Sequence, residues 1–177
     1  MRGLFILALS LLSLNTFAAG SKIDIPKYDW SWKGFFGTYD RASAQRGLKV
    51  YREVCAGCHS MDLIAYRNLA DLGFSEAHIK AIAAEYLVPD GPNDEGEMFE
   101  REAIPSDRFA NPYPNVQAAR AANNGAYPPD LSLIVKARPK GADYLKALLL
   151  GYVEAPADKE VPEGQYYNKY MDGNLIA

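Results

Sequence analysis

The chain has 177 residues, a formal net charge of −3 and 49% hydrophobic residues, enough for one folded domain with a real core. Its acidic, moderately apolar balance argues against nucleic acid as a partner. Only one long apolar run is present, at the N-terminus, so any hold on a membrane lies in a partner or outside this sequence.

That run has the form of a secretory signal over residues 1–18. Arg2 supplies the positive start, Leu4 to Leu14 the apolar stretch, and Thr16-Phe17-Ala18 the small residues that direct cleavage after Ala18. It is well short of the ~20 apolar residues a membrane span needs. Cleavage leaves residues 19–177 as the mature domain, outside the cytoplasm, and removes Arg2, making the charge more negative.

Residues 19–40 are rich in aromatics, with Tyr28, Trp30, Trp32, Phe35, Phe36 and Tyr39, and Gly34 and Gly37 predict turns. The expectation is an extended arm packed on the domain. A helix is predicted to start between Asp40 and Ser43, either of which can cap it. Ala44, Leu48, Tyr51 and Cys55 then fall on one face, and the helix delivers Cys55-Ala56-Gly57-Cys58-His59 from its last turn.

In an exported chain, Cys-x-x-Cys-His reads as a covalent haem attachment site. Each thiol can add across one haem vinyl group, and the adjacent imidazole of His59 can then ligate the iron. Three other readings compete. Structural zinc needs about four ligands, and beyond Cys55, Cys58 and His59 the only other histidine is His78. A thioredoxin-like pair belongs at a strand-to-helix junction, whereas the residues before Cys55 are helical in pattern. A local disulfide is compatible with export, although so short a loop constrains the unfolded chain little.

Ser75 is predicted to cap a second helix reaching about Tyr86, with Ile79, Ile82, Ala83 and Tyr86 on one face. His78 in its first turn reads as a surface or packing residue. Residues 89–114 read as a Pro-, Gly- and acid-rich loop region. Asp90, Asp94, Glu95, Glu97, Glu100 and Glu102 face a single base, Arg101. Such a run is either a solvated loop or a negative patch that steers a basic partner. It lacks the spacing of a calcium-binding EF-hand loop.

Val116 to Asn123 reads as a short helix ended by Asn124-Gly125. Tyr127-Pro128-Pro129-Asp130 must be extended, because proline lacks an N–H and restricts its predecessor; the apolar proline pair suits one face of a porphyrin. Two more helices are predicted over Leu131 to Ala137 and Gly141 to Val153. In the latter, Tyr144, Leu145, Leu148, Leu149 and Tyr152 form an apolar stripe expected to pack in the core. Arg138 between them is a planar donor suited to a haem propionate. The tail, including Tyr166-Tyr167-Asn168, reads as loop.

Several words in the sequence together resemble the cytochrome c1 family, the haem subunits of the ubiquinol–cytochrome c reductase (cytochrome bc1) complex. They are Gly37-Thr38-Tyr39-Asp40-Arg41, Val50 to Met61 around the attachment site, Asp90-Gly91-Pro92-Asn93-Asp94-Glu95-Gly96-Glu97-Met98-Phe99 and Ser106-Asp107-Arg108-Phe109. Ala118 to Ser132 and Gly141-Ala142-Asp143-Tyr144 complete the set. The resemblance covers about residues 28–177.

It implies a mostly α, class I c-type cytochrome-like domain with long loops and an acidic insertion. It implies one covalent haem c, held by Cys55 and Cys58, with His59 as proximal ligand. Asn123, Ala126, Pro128, Pro129 and Tyr144 would line the haem, and Arg138 would pair with a propionate. The implied role is a one-electron relay from the Rieske iron–sulfur protein to cytochrome c, beside cytochrome b, at the periplasmic face of a bacterial inner membrane. The chain would then be an electron-transfer subunit of an oxidoreductase complex, with no catalytic site of its own.

The family's distal methionine would follow Ala177, and its membrane helix would lie further on. The expectation is therefore a sequence cut short at its C-terminus, with no native distal ligand in this stretch. Met61 is tied to the proximal side, Met98 lies in the acidic loop, and Met171 reads as packing. Two alternatives differ in class. One is a soluble, diffusing periplasmic c-type cytochrome. The other is a haem enzyme of peroxidase type, which requires an open distal site with a base or donor.

Overall fold

A computed structural model describes residues 23–176. The proposed signal sequence and Ala177 lie outside the described residues. The order of elements is α1 (Arg41–Glu53), a 3-10 turn (Cys55–Gly57), a 3-10 helix (Tyr66–Leu72), α2 (Glu76–Ala84), β1 (Leu87–Asp90), β2 (Phe99–Glu102), α3 (Val116–Ala122), α4 (Ile134–Ala137), α5 (Ala142–Leu150), β3 (Tyr166–Tyr167), a 3-10 turn (Asp172–Asn174) and β4 (Leu175–Ile176). The domain is mostly helical, as expected, with two small antiparallel hairpins.

Helix α1 starts where its capping residue dictates. The Asp40 carboxylate accepts from the Ser43 N–H. Ala44, Leu48, Tyr51 and Cys55 are all half-buried on one side, while Val50 and Val54 are exposed. Ser75 caps α2 in the same way, and Ile79, Ile82 and Ala83 are buried. His78 is exposed. These α2 residues pack with Tyr66, Leu69, Ala103 and Phe109 into the hydrophobic core, flanked by Leu48 and Tyr51 of α1. Tyr66 and Phe109 pack ring against ring at its centre, tilted by 32°, with centroids 4.8 Å apart.

The acid-rich stretch is not simply loop. Residues 87–90 and 99–102 pair antiparallel, Val88 opposite Arg101, to form a hairpin. Charge density hid the strands, because the alternation is between half-buried and exposed positions rather than apolar and polar ones. The tail also departs from the loop expectation, since Tyr166-Tyr167 pairs with Leu175-Ile176.

A second packing unit forms around α5. The aromatic arm docks onto its first turn, as expected of a packed lead-in. Asp143 accepts from the Tyr28 N–H (3.2 Å) and the Trp30 indole N–H (2.6 Å), and pairs with Lys33 Nζ (3.2 Å). The indole donor, against the cost of burial, and then Tyr28 and Lys33 hold the Asp143 carboxyl below the usual range. Trp30, Trp32 and Tyr39 stack in sequence. Gly37 is required in this arm, because a Cβ there would lie 2.3 Å from the Trp32 backbone.

The α5 stripe departs from its core assignment. Leu149 is 70% exposed and Tyr152 45% exposed, while Ala147 is fully buried. Contact runs through Asp143 and Ala147, which rotates Leu145, Leu149 and Leu150 toward an open apolar groove of about 400 Å³ shared with Trp30 and Val135. At the far end of α5, the fully buried Asn168 donates to the Leu148 carbonyl (2.8 Å) and accepts from the Tyr170 N–H (2.9 Å). Gly151 admits this contact, since a Cβ there would meet Asn168 Oδ1 at 2.6 Å.

Asn168→Ala leaves the Tyr170 N–H without a partner and the Leu148 carbonyl with only the Gly151 N–H, and is expected to cost roughly 1–3 kcal/mol in urea unfolding.

Candidate functional site

The site begins at the end of α1. Val54 caps the helix, and the chain tightens into a 3-10 turn in which the N–H groups of Cys58 (3.1 Å) and His59 (2.8 Å) both reach the Cys55 carbonyl. This turn leaves Cys55 half-buried and Cys58 exposed, both as free thiols. Tyr51, one α1 face below, donates its hydroxyl to the His59 carbonyl at 3.1 Å.

The His59 ring is oriented by a residue 70 positions away, its Nδ1 lying 2.8 Å from the Pro129 carbonyl. A carbonyl oxygen only accepts, so Nδ1 carries a proton, and in the neutral ring this leaves the lone pair on Nε2. That tautomer is the one a metal-ligating imidazole needs, and the Nδ1–H bond to a carbonyl raises its donor strength.

Several further contacts lace residues 60–63 to 130–132. Leu131 N–H donates to the Ser60 carbonyl (2.9 Å), and Leu63 N–H to Ser132 Oγ (3.0 Å). The Asp130 carboxylate accepts from Ser60 Oγ (2.8 Å), Asp62 N–H (2.7 Å) and Ser132 N–H (2.8 Å). Partial burial pushes the Asp130 carboxyl up, but these hydrogen bonds outweigh it and hold it below the usual carboxylate range.

Other predicted residues lie further out. Asn123 caps α3 and spends its amide on the Ala119 carbonyl (2.7 Å) and Tyr113 hydroxyl (3.1 Å). Ala126 is exposed just past the Asn124-Gly125 turn, and Pro128 is half-buried. Arg138 is exposed at the end of α4, with no hydrogen bond or ion pair from its side chain among the described residues. Tyr144 is half-buried on α5, and its hydroxyl points to Met171 Sδ at 3.9 Å, in keeping with a packing role for that methionine. The structure thus joins His59 and Pro129 directly, and none of Asn123, Arg138 and Tyr144 hydrogen-bonds to residues 55–59.

Two residues around His59 were not singled out from the sequence for this role. The Asp130-Leu131-Ser132 spacing is the pattern of an Asx turn and gave a local cue to Asp130. Tyr51 was placed on the correct face, but nothing in the sequence pointed its hydroxyl at His59.

The chemistry of the thiols separates the competing readings. Burial pushes the Cys55 thiol up, the opposite of the lowered value that activates a thioredoxin-like pair. Among the described residues, no group of three or more His, Cys, Asp or Glu side chains is arranged to hold a metal ion. A thiol pair on an open turn beside an imidazole with a free Nε2 does fit covalent haem attachment.

The acidic hairpin is a second surface of interest. Arg101 binds Asp90 and grips Asp107 with two nitrogens, at 2.6 and 3.1 Å. Asp94, Glu95, Glu97, Glu100 and Glu102 make no ion pair among the described residues. The only base in the run is therefore consumed within the fold, and the outer edge remains negative.

A mostly helical domain whose first helix ends in a Cys-x-x-Cys-His turn, with the imidazole braced by a distant backbone carbonyl, has the form of a class I c-type cytochrome. A model of the Cytochrome C1 family matches residues 30–177, and the chain belongs to that family. It is 51% identical over 171 residues to "Cytochrome c1-2, heme protein, mitochondrial" of Solanum tuberosum, an alignment covering 94% of this chain and 66% of that protein. It is 47% identical over 171 residues to "Cytochrome c1" of Rhodospirillum rubrum, covering 88% and 63%. With "Cytochrome b/c1" of Bradyrhizobium diazoefficiens it shares 48% identity over 192 residues, covering 96% and 28%. The chain thus spans less than two thirds of the length of these relatives. Among its described residues, no helix is long and apolar enough to cross a membrane.

The Asp90 and Asp107 carboxyls are held low, first by their hydrogen bonds to Arg101. Groups with a depressed folded pKa stabilise above the unfolded value, about 3.9 for Asp, and lose that contribution as pH falls through the folded value. Amide protection of the 87–102 hairpin is expected to hold from neutral pH to about 5 and to fall below about 4, with a shallower acid loss in Arg101→Gln; hydrogen exchange checks this.

Proposed function

We propose that this chain is a one-electron carrier with a single covalent haem c, joined through Cys55 and Cys58 and ligated on its proximal side by His59 Nε2. The observation that carries this reading is the Nδ1–H bond from His59 to the Pro129 carbonyl, beside two free thiols on one turn. When bound, the haem supplies an iron that takes up and releases one electron. The chain's own residues do the holding. Cys55 and Cys58 anchor the group, His59 offers its lone pair, and Pro129 fixes the ring plane. Ala126, Pro128 and Pro129 furnish apolar wall, with Asn123 and Tyr144 further out. The exposed Arg138 guanidinium is available to a propionate.

The proposed place of this carrier is the cytochrome bc1 complex. There it receives electrons from the Rieske iron–sulfur protein beside cytochrome b and passes them to cytochrome c. A relative from Candida albicans carries the name "Cytochrome b-c1 complex catalytic subunit, mitochondrial", and the names of the plant relatives include "heme protein". In this reading quinol chemistry belongs to other subunits, and this chain has no acid–base catalysis of its own. The signal over residues 1–18 directs it across the bacterial inner membrane to the periplasmic face. The negative outer edge of the hairpin favours a basic acceptor and speeds its encounter.

Anaerobic stopped-flow mixing of the full-length protein with reduced Rieske protein, and then with oxidised cytochrome c, tests the proposal. The expected result is one electron taken up and one delivered per chain, with delivery slowing severalfold as ionic strength rises from ~0.01 to ~0.15 M. Cys55→Ser/Cys58→Ser should abolish uptake. A wild-type chain that takes up no electron contradicts the proposal.

A further inference from the structure

We infer that Asp130 is a positioning residue for the haem-ligating histidine: its carboxylate holds the Pro129 carbonyl in register with His59 Nδ1 and so sets how strongly the imidazole donates to iron. The inference rests on the haem reading above, and extends it to a residue that touches neither the thiols nor the ring.

The geometry is specific. Asp130 directly follows Pro129, whose carbonyl meets His59 Nδ1 at 2.8 Å. In the opposite segment, Ser60 directly follows His59. The Asp130 Oδ2 atom accepts from Ser60 Oγ at 2.8 Å and from Asp62 N–H at 2.7 Å, both in the segment that continues from the histidine. Its Oδ1 atom accepts from Ser132 N–H at 2.8 Å, within its own segment. One carboxylate therefore ties the two segments together one residue beyond each partner of the His59–Pro129 bond. Hydrogen bonds weaken steeply with distance and angle, so a small slip between these segments loosens the bond to Nδ1. A looser bond makes the imidazole a weaker donor, which disfavours the oxidised iron and raises the reduction potential.

The charge and both oxygens matter, not the size of the side chain. Asp130→Asn keeps the volume but offers one accepting oxygen and one NH2. Because both carboxylate oxygens face N–H donors, either orientation of the amide turns its NH2 against one of them. The Leu131-to-Ser60 and Leu63-to-Ser132 bonds remain in place and keep the two segments adjacent, so the variant slips rather than opens. Ser60→Ala removes a single tie on the histidine side and predicts a smaller change of the same sign.

The test uses the full-length, haem-loaded protein and three measurements. Covalent haem content is read by the pyridine haemochrome assay, reduction potential by spectroelectrochemical titration, and solvent exchange of the His59 Nδ1 proton by NMR. Expected for Asp130→Asn are wild-type haem content and a higher potential. At a fixed ambient potential the reduced-to-oxidised ratio should rise severalfold. The Nδ1 proton should exchange faster. Haem retained, with potential and exchange both unchanged, overturns the inference. If Asp130→Asn fails to mature, Ser60→Ala decides: a rise in potential with faster exchange supports the role, and no change in either overturns it. Absence of covalent haem from the wild-type protein is a separate result. It removes the haem reading itself and this inference with it.

Discussion

The hydrogen bond from His59 Nδ1 to the Pro129 carbonyl joins the two parts of this chain on which its chemistry depends. One partner is fixed by α1 and the turn that ends it, and the other by an extended proline pair 70 residues later. Proline makes this arrangement stiff. Pro128 and Pro129 have no N–H to divert into local structure and hold narrow φ, so the Pro129 carbonyl is presented outward with little freedom. The surrounding contacts serve the same end. Tyr51 holds the His59 carbonyl, and Leu131 and Asp130 hold Ser60. An imidazole braced on its backbone, its ring and its following residue is held in one place, which suits the iron-ligating role proposed for it.

Around this centre the fold divides into two packing units of different character. The α1–α2 side is apolar, with Tyr66, Leu69, Ile79, Ile82 and Phe109 as its core. The α5 side is held by buried polar groups, Asp143 under the aromatic arm and Asn168 under the C-terminal hairpin. Hydrogen-bonded polar anchors supply less burial energy than an apolar core but fix orientation more narrowly. The aromatic arm is thereby tied to α5 through the Asp143 carboxylate and through Lys146, whose ammonium lies over the Tyr28 and Trp30 rings.

Much of this was legible in the sequence where local rules dominate. Asp40 and Ser75 cap the helices they were expected to cap, and the α1 face through Leu48 and Tyr51 follows helical spacing. The proline pair and its extended form were readable for the same reason. What could not be read depended on partners far apart in the chain. The 87–102 hairpin was masked because its charged residues hide the strand alternation, and Arg101 ties Asp90 on the facing strand to Asp107 beyond both strands. The α5 stripe was misjudged because Asp143 binds the arm and places that side of the helix inward, exposing Leu149, and because the helix ends at Leu150, before Tyr152. Tyr166-Tyr167 has strand-forming residues, but so short a pairing with Leu175-Ile176 is fixed only by the fold. The role of Asp130 belongs to the same group, since its partners Ser60 and Asp62 precede it by about 70 residues.

The central claim is that Cys55 and Cys58 carry a covalent haem, and peptide mass spectrometry addresses it most directly. Tryptic cleavage after Arg52 and Arg67 releases residues 53–67, which contain both thiols and His59. Protein matured with periplasmic haem-attachment machinery should give this peptide with the mass of one haem added and no free thiol. Recovery of the peptide with two unmodified thiols, or with a Cys55–Cys58 disulfide, would contradict the account.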